Sequence, residues 1–159
     1  MEVRLTAFYA LIQCHLSYGV ILWGQSADLG DAFILQKRAI RVIVRRGPRE
    51  HCRPWFKSLG ILTLPCLYIF ATCLHVHDRL PMLPRRADVH CYSTRGRDLL
   101  DIQFSRTYTS KKNKINLDVY NRLPAVIKAS PPGEFKGRLK NYLIASAFYS
   151  VNEYLRSGP

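Results

Sequence analysis

The chain has 159 residues, of which 48% are hydrophobic and 11% aromatic, so it can bury one ordinary core and is not an intrinsically disordered protein. Its 24 Lys and Arg against 11 Asp and Glu give a net charge of +13, which predicts an anionic partner, most often nucleic acid. Ribosomal, chromatin and membrane-surface proteins share this composition, so the charge indicates a class of partner and nothing finer.

The cysteines are odd in number and scattered along the chain: Cys14, Cys52, Cys66, Cys73 and Cys91. The first four residues lack the net positive charge that begins a secretory signal peptide, and no clean small-residue cleavage site follows them. We therefore expect reduced thiols in an intracellular protein of the cytoplasm or nucleus.

The first predicted element runs from Leu5 to Trp23 and would be apolar on nearly every side as a helix. No formal charge occurs from Leu5 to Ala27. Such a helix must be buried all round or face a membrane, and the polar Gln13 and the helix-weakening Gly19 favour burial within protein. Because a chain of this size has little room for it, part of the surface is expected to contact something outside this chain.

The stretch from Phe33 to Phe56 predicts a helix with one basic face. Four cations share a sector about 100° wide on a helical projection: Lys37, Arg38, Arg41 and Arg45. Apolar residues cover most of the other side: Leu35, Ala39, Ile40, Val42, Ile43 and Val44. After Gly47 and Pro48 end the helix, further residues continue a mixture of cations and aromatic faces suited to nucleic acid: Arg49, Arg53 and Trp55. The alternative is an ordinary solvated face.

A third helix is predicted to begin near Pro65, because proline is tolerated in a first turn, and to end at Asp78 and Arg79. Residues 81–117 are polar, basic and interrupted by proline and glycine. We expect an irregular linker or loop there, with at most short strands near Val89–Tyr92 and Ile102–Phe104.

The last part is predicted to be helical again, with a short turn at Asp118–Leu123 and a helix from about Gly133 to Ser150. Its predicted buried face contains Phe135, Leu139, Tyr142, Leu143 and Phe148. The expected fold is therefore mainly α: a helical core with the basic helix over 1–80, an irregular basic segment over 81–117, and a C-terminal helical segment over 118–159.

Catalytic motifs are absent from the sequence. It has no paired carboxylates for two-metal chemistry, no glycine-rich phosphate loop, no GxSxG and no HExxH. A Cys-His-His-Cys zinc site is geometrically feasible from Cys73, His77, His90 and Cys91. Because no CxxC pair accompanies them, we favour cysteines that fill the core, and we expect neither a metal nor a cofactor.

Several motifs in order resemble one family: HLSYGVILWG at 15–24, LQKRAIR at 35–41, CRPWFK at 52–57, ILTLPCLY at 61–68, HCYSTR at 90–95, YNRLP at 120–124, FK at 135–136 and FYSV at 148–151. They are similar to the region downstream of the polymerase domain in LINE-type (non-LTR, jockey-like) retrotransposon reverse transcriptases. The resemblance covers nearly the whole chain, although the family more often has Asn where this chain has Ser93.

The resemblance implies a truncated, thumb-proximal or post-thumb fragment that helps to hold RNA or DNA beside a polymerase domain. The family's endonuclease and paired catalytic aspartates lie upstream, so no catalytic residue is carried over and no activity is expected of this chain alone. Two alternatives stay open. The first is a small membrane protein with apolar segments Leu5–Ala27 and Ser58–His77, which Pro65, Gln13 and His15 disfavour. The second is a retroelement relic without a present function.

Overall fold

The computed structural model describes residues 2–89, 92, 94–102, 108–131 and 133–157, with the side chains of 108–113 excepted. Within those residues the chain is mostly helical and forms no β-strand, and Arg85 and Leu100 make an isolated antiparallel bridge. The predicted mainly α fold class is confirmed.

The first half of the chain contains α1 (Glu2–Phe8), a π-helical turn (Tyr9–Gln13), α2 (Cys14–Ser17), α3 (Val20–Trp23), α4 (Leu29–Val44), α5 (Arg53–Leu59) and α6 (Leu64–Asp78). A 3-10 turn (Leu80–Met82) is followed by α7 (Arg86–Val89), α8 (Tyr108–Asn121), α9 (Ala125–Lys128), α10 (Phe135–Ser146) and α11 (Val151–Arg156). The bundle is built around α6, which packs against α3, α4, α8, α10 and α11.

The central helix α6 is buried because it carries no Asp, Glu, Lys or Arg before its last residue, Asp78. Thr63 caps its first turn: the Oγ1 atom accepts a hydrogen bond from the Cys66 N–H at 3.3 Å. The same hydroxyl donates to the Phe148 carbonyl at 2.6 Å, which joins the helix start to the C-terminal part of the chain. The predicted start near Pro65 and end at Asp78 are confirmed.

The N-terminal segment corrects the prediction of a helix buried on all sides. It is broken at Tyr18 and Gly19, where Gly19 has a φ of 57° in the left-handed region. Phe8 and Val20 are its buried residues, because the segment packs along the outside of α4 and α6 by one side only. Large apolar side chains on its other side are exposed: Val3, Tyr9, Leu11, Tyr18 and Leu22.

Helix α8 corrects the predicted extent of the irregular segment. Residues 108–117 are helical, so the expected boundary at 117 falls inside α8 instead of at the start of a short turn. This helix packs on α6 through the buried Asn116, Val119 and Tyr120, although its polar sequence has little amphipathic periodicity. Of the two expected strands, Val89 ends the helical turn α7, and residues 90, 91, 103 and 104 lie outside the described residues.

The C-terminal helix is shorter than predicted. It ends at Ser146, and Ala147 follows with a φ of 49°, after which Ser150 caps a separate helix, α11. The predicted buried face is confirmed for most of its members, since Phe135, Leu139, Leu143 and Phe148 are buried, while Tyr142 is partly buried.

A completely buried glutamine fixes α4 to the start of α6. The Gln36 amide donates from Nε2 to the Leu62 carbonyl at 3.0 Å and accepts from the Leu64 N–H at 2.8 Å. Both backbone groups would otherwise be buried without partners, and an unpaired buried group of this kind costs about 1–3 kcal/mol. Gln36 therefore sets the rotation of α4 about its axis, and with it the direction of the basic residues.

None of the helices in the described ranges is by itself long and apolar enough to cross a bilayer. One pair, α5 and α6, meets the length and composition criteria together, with a bend of 52° between the two helices.

Candidate nucleic-acid interface

The basic residues predicted from the sequence lie on α4, on the loop after it and on α5. We call this set the basic patch, and it comprises Lys37, Arg38, Arg41, Arg45, Arg46, Arg49, Arg53 and Lys57. Residues 37–57 hold these eight cations and one acid, Glu50. Repulsion among like charges at this density favours a bound polyanion over a purely solvated surface.

Helix α4 orients the patch and ends in a strained cap. Asp31 in its first turn complements the helix dipole. Arg45 closes the helix with a φ of 55°, and the Arg46 N–H donates to the Arg41 carbonyl at 2.9 Å, the pattern of a Schellman motif. The Arg4 guanidinium donates to the Ile43 carbonyl at 2.9 Å and so caps the same end. The helix therefore ends before Gly47 and Pro48, the residues predicted to end it.

The buried face of α4 is rotated from its predicted position. Leu35 and Val42, assigned to the buried side, are 60% and 70% exposed. The buried residues are Phe33, Gln36, Ile40 and Ile43. Because Gln36 takes its place in the core, the rotation brings Lys37 and Arg41 to the edge of the buried face, where both are partly covered.

Lys37 and Arg53 hold the patch against the C-terminal part of the chain. The Lys37 Nζ atom lies 4.6 Å from the centre of the Phe33 ring and 5.7 Å from that of Tyr149. The Arg53 Cζ atom lies 4.4 Å from the Tyr149 ring, and its Nη2 donates to Glu153 Oε1 at 2.8 Å. Burial raises the pKa of the Tyr149 hydroxyl. These two predicted phosphate contacts are therefore already engaged within the protein.

Arg41, Arg46 and Trp55 are also engaged. Arg41 Nε donates to the Glu50 carbonyl at 3.0 Å, and the Arg46 guanidinium lies 3.7 Å from the Glu50 carboxylate. The Arg46 Cζ atom also lies 5.1 Å from the centre of the Trp55 ring, which packs partly against the core. Arg46 was not among the predicted contact residues, and its i, i+4 spacing to Glu50 is the signal in the sequence for this ion pair. Trp55 is therefore partly buried and already has a cation near its ring.

Three predicted contact residues extend into solvent: Arg38, Arg45 and Arg49. Within the described ranges none of the three has an ion pair or an aromatic partner. The same is true of the exposed Lys57. Arginine forks donate to phosphate oxygens in pairs, so these side chains are the ones that the patch can offer to a backbone. The predicted set of seven therefore divides into three available cations and four residues with structural contacts.

Of the four residues considered as zinc ligands, the structure describes two, Cys73 and His77, and both have other roles in the core. Cys73 is completely buried, and burial raises the pKa of its thiol, which disfavours the thiolate that zinc requires. His77 stacks on Phe135 with ring centres 3.8 Å apart, and its Nδ1 lies 3.1 Å from the Tyr120 hydroxyl. His90 and Cys91 lie outside the described residues. Among the described residues no three Cys, His, Asp or Glu side chains group as metal ligands.

The chain matches no protein-family model, no curated protein and no solved structure. A function for the patch therefore has to be proposed from its own geometry and from the sequence motifs.

Proposed function

We propose that the chain is a nucleic-acid-binding accessory region, similar to the segment downstream of the polymerase domain in non-LTR retrotransposon reverse transcriptases. The observation that carries this proposal is the basic patch: residues 37–57 contain eight cations and one acid, Glu50, and Glu153 from outside this range pairs with Arg53. The exposed Arg38, Arg45 and Arg49 bind phosphates, while the engaged cations hold the patch on the core.

The available cations define a contact with backbone phosphates. Arg38 lies six residues, about 9 Å along the axis at 1.5 Å per residue, before Val44, the last residue of α4, and Arg45 follows directly after it. Arg49 follows in the loop after the helix. Contacts of this kind attach RNA or DNA without reading its sequence. The proposed role is an accessory grip without polymerase or endonuclease activity, in keeping with the absence of both catalytic motifs from the sequence.

Paired charge reversals test this function. We expect the double variant Arg38→Glu/Arg49→Glu to bind a 20-base-pair DNA duplex and a 20-nucleotide RNA at least about tenfold more weakly, because two phosphate contacts become repulsive. Fluorescence anisotropy with labelled nucleic acids at 0.1 M salt measures the affinities. The matched control is Arg95→Glu/Arg97→Glu, which changes the net charge equally in a stretch where acids balance the cations.

The control separates specific contacts from bulk charge. Equal losses of affinity in both double variants would mean that the net charge of +13 binds nucleic acid without a defined site. No measurable binding by the unmodified chain would remove the function altogether. Far-ultraviolet circular dichroism of each variant confirms that the helices are retained.

A second proposed contact concerns the exposed apolar residues of the N-terminal segment. Val3, Leu11 and Tyr18 are 83%, 68% and 85% exposed. Apolar side chains exposed together on one element are typical of a protein interface. We propose that they contact the polymerase domain that the family resemblance places upstream.

The upstream contact is tested by reading the genomic sequence before the codon for Met1. A continuous frame that encodes the paired-aspartate polymerase motif is expected. That domain, expressed separately, should retain this chain on an affinity column, and Leu11→Ser/Tyr18→Ser should abolish the retention. Val126→Ser, which alters another exposed apolar residue, is the control. Retention of the double variant would contradict the proposed contact.

A further inference from the structure

A second cationic surface lies in a cleft of about 530 Å³ where the start of α7 and residues 99–102 meet α8, α9 and α11. Arg86, Arg122 and Lys128 line it together with one acid, Asp118, and Leu99 and Leu155 contribute to its apolar wall. Small-molecule sites in proteins have volumes of roughly 300–1,000 Å³ and combine apolar walls with a few convergent polar groups. The cleft has both properties, and sequence reasoning did not identify it.

Lys128 is a half-buried cation without a carboxylate partner. Its Nζ atom donates to the Asn121 carbonyl at 2.6 Å, and burial lowers the pKa of its ammonium group. The ion pairs among the described residues do not include Lys128, Arg86 or Arg122. An ammonium group has three donors, so Lys128, whose Nζ atom also lies 5.8 Å from the centre of the Tyr120 ring, retains donors for a ligand. A bound anion would offset the hydration that this lysine has lost.

The wall of the cleft is held in place before any ligand arrives. The Asn121 amide makes two hydrogen bonds with Leu100, one from the Leu100 N–H and one to the Leu100 carbonyl, each of 3.0 Å. Gly96 provides room for Arg86, since a Cβ atom at this position would lie 2.8 Å from the Arg86 Nη1 atom. A preformed wall lowers the entropy cost of binding.

We propose that this cleft binds a phosphate monoester attached to an organic group of about nucleoside size. The three cations and one acid leave a local charge of +2, which matches the charge of about −1.5 to −2 on a phosphate monoester at pH 7. Arg86 and Arg122 donate to the phosphate oxygens with Lys128, and the organic group packs on Leu99 and Leu155. A free nucleotide and the 5′-phosphorylated end of a strand both present this chemistry.

Calorimetric titration of the full chain tests the proposal with AMP, adenosine and inorganic phosphate. AMP is expected to bind at least about tenfold more tightly than either fragment, because it alone engages both walls. A second pair of ligands, a hexanucleotide with and without a 5′-phosphate, identifies the source. Tighter binding of the 5′-phosphorylated hexanucleotide would identify the ligand as the end of a strand. Equal binding of the two hexanucleotides, together with binding of AMP, would identify the ligand as a free nucleotide.

Variants separate this cleft from the basic patch, on which the proposal does not depend. Arg122→Glu is expected to weaken AMP binding at least about tenfold, and Arg86→Gln, a second exposed cleft residue, about threefold or more. Arg95→Glu, outside the cleft, and Arg38→Glu/Arg49→Glu should keep AMP affinity within about twofold. AMP binding no tighter than that of adenosine, or equal losses in Arg122→Glu and Arg95→Glu, would overturn the assignment.

Discussion

Two stretches of the chain are rich in arginine and differ in their acids. Residues 37–57 contain eight Lys and Arg with one Glu, whereas residues 78–102 contain five Arg with four Asp. In the second stretch Asp88 closes a turn by accepting from the Arg85 N–H at 2.8 Å, so part of the acidic content serves local structure. If the proposed function is correct, the ratio of cations to nearby acids, more than the number of arginines, determines which stretch binds a nucleic-acid backbone.

A side-chain amide fixes the backbone at or beside each stretch: Gln36 directly precedes the first stretch, and Asn121 binds Leu100 of the second. Removal of these two side chains gives the largest expected effects on stability. Gln36→Ala should lower the free energy of unfolding by about 3 kcal/mol, because the buried Leu62 carbonyl and Leu64 N–H lose their partner. Asn121→Ala should cost about 1 kcal/mol, because its bonds to Leu100 are only partly buried.

Urea unfolding monitored by circular dichroism measures both losses. Equal costs for Gln36→Ala and Asn121→Ala would contradict the view that the basic patch is the more rigidly mounted of the two stretches.

The free energy of unfolding should decrease at alkaline pH, because buried groups of the core lose their protons. Cys66 and Tyr120 do so at different pH values. Burial raises the pKa of the Cys66 thiol from 9.0 to about 11 and that of the Tyr120 hydroxyl from 10.0 to about 12. Both groups are held protonated in the folded state, so their stabilising effect is complete below the unfolded pKa and is lost as the pH rises. The free energy of unfolding should fall by about 1.4 kcal/mol per pH unit between pH 9 and 11 through Cys66.

Urea titrations at pH 8, 9, 10 and 11 under reducing conditions measure this fall. Cys66→Ala removes this thiol and should make the fall between pH 9 and 10 less steep, while the Cys73 thiol, whose pKa burial also raises, continues to contribute to the fall. An unchanged profile in this variant would show that the buried thiol is not the group responsible.

A smaller effect is expected at the strained end of α4. Arg45 has a φ of 55°, a conformation that costs a residue with a side chain roughly 1 kcal/mol relative to glycine. Arg45→Gly should therefore be more stable than Arg45→Ala by about that amount, as measured by thermal unfolding. Both variants lose the same charge and should bind nucleic acid equally, so a difference in affinity between them would indicate that the strained backbone itself orients the contact.

The sequence correctly predicted those helices whose ends and buried faces depend on residues close together in the chain. The start of α6 was predicted from Pro65, and the buried face of α10 was predicted from its apolar spacing. The face of α4 was misplaced because Gln36 is buried through partners 26 and 28 residues away, which no periodicity reveals. The first ten residues of α8 were missed because their polar sequence becomes helical by packing on α6, whereas its last turn was expected from Asp118 onward.

The candidate interface was predicted in the same partial way. The cations themselves are visible in the sequence, and Arg38, Arg45 and Arg49 extend into solvent as expected. Which cations are available and which are engaged depends on tertiary contacts that the sequence does not reveal. The main example is Glu153, which binds Arg53 from 100 residues away in the chain. The cleft around Lys128 was not predicted because its residues come from three separate parts of the sequence.

The salt dependence of binding tests the central claim most directly. The logarithm of the association constant for a DNA duplex should fall linearly with the logarithm of salt concentration, with a slope of about −3 to −4 for the unmodified chain. The charge-neutralising variant Arg38→Gln/Arg49→Gln should reduce the magnitude of that slope by about 2, because two phosphates are no longer neutralised. A slope unchanged by these substitutions, or reduced equally by Arg95→Gln/Arg97→Gln, would contradict the assignment of the basic patch as the nucleic-acid interface.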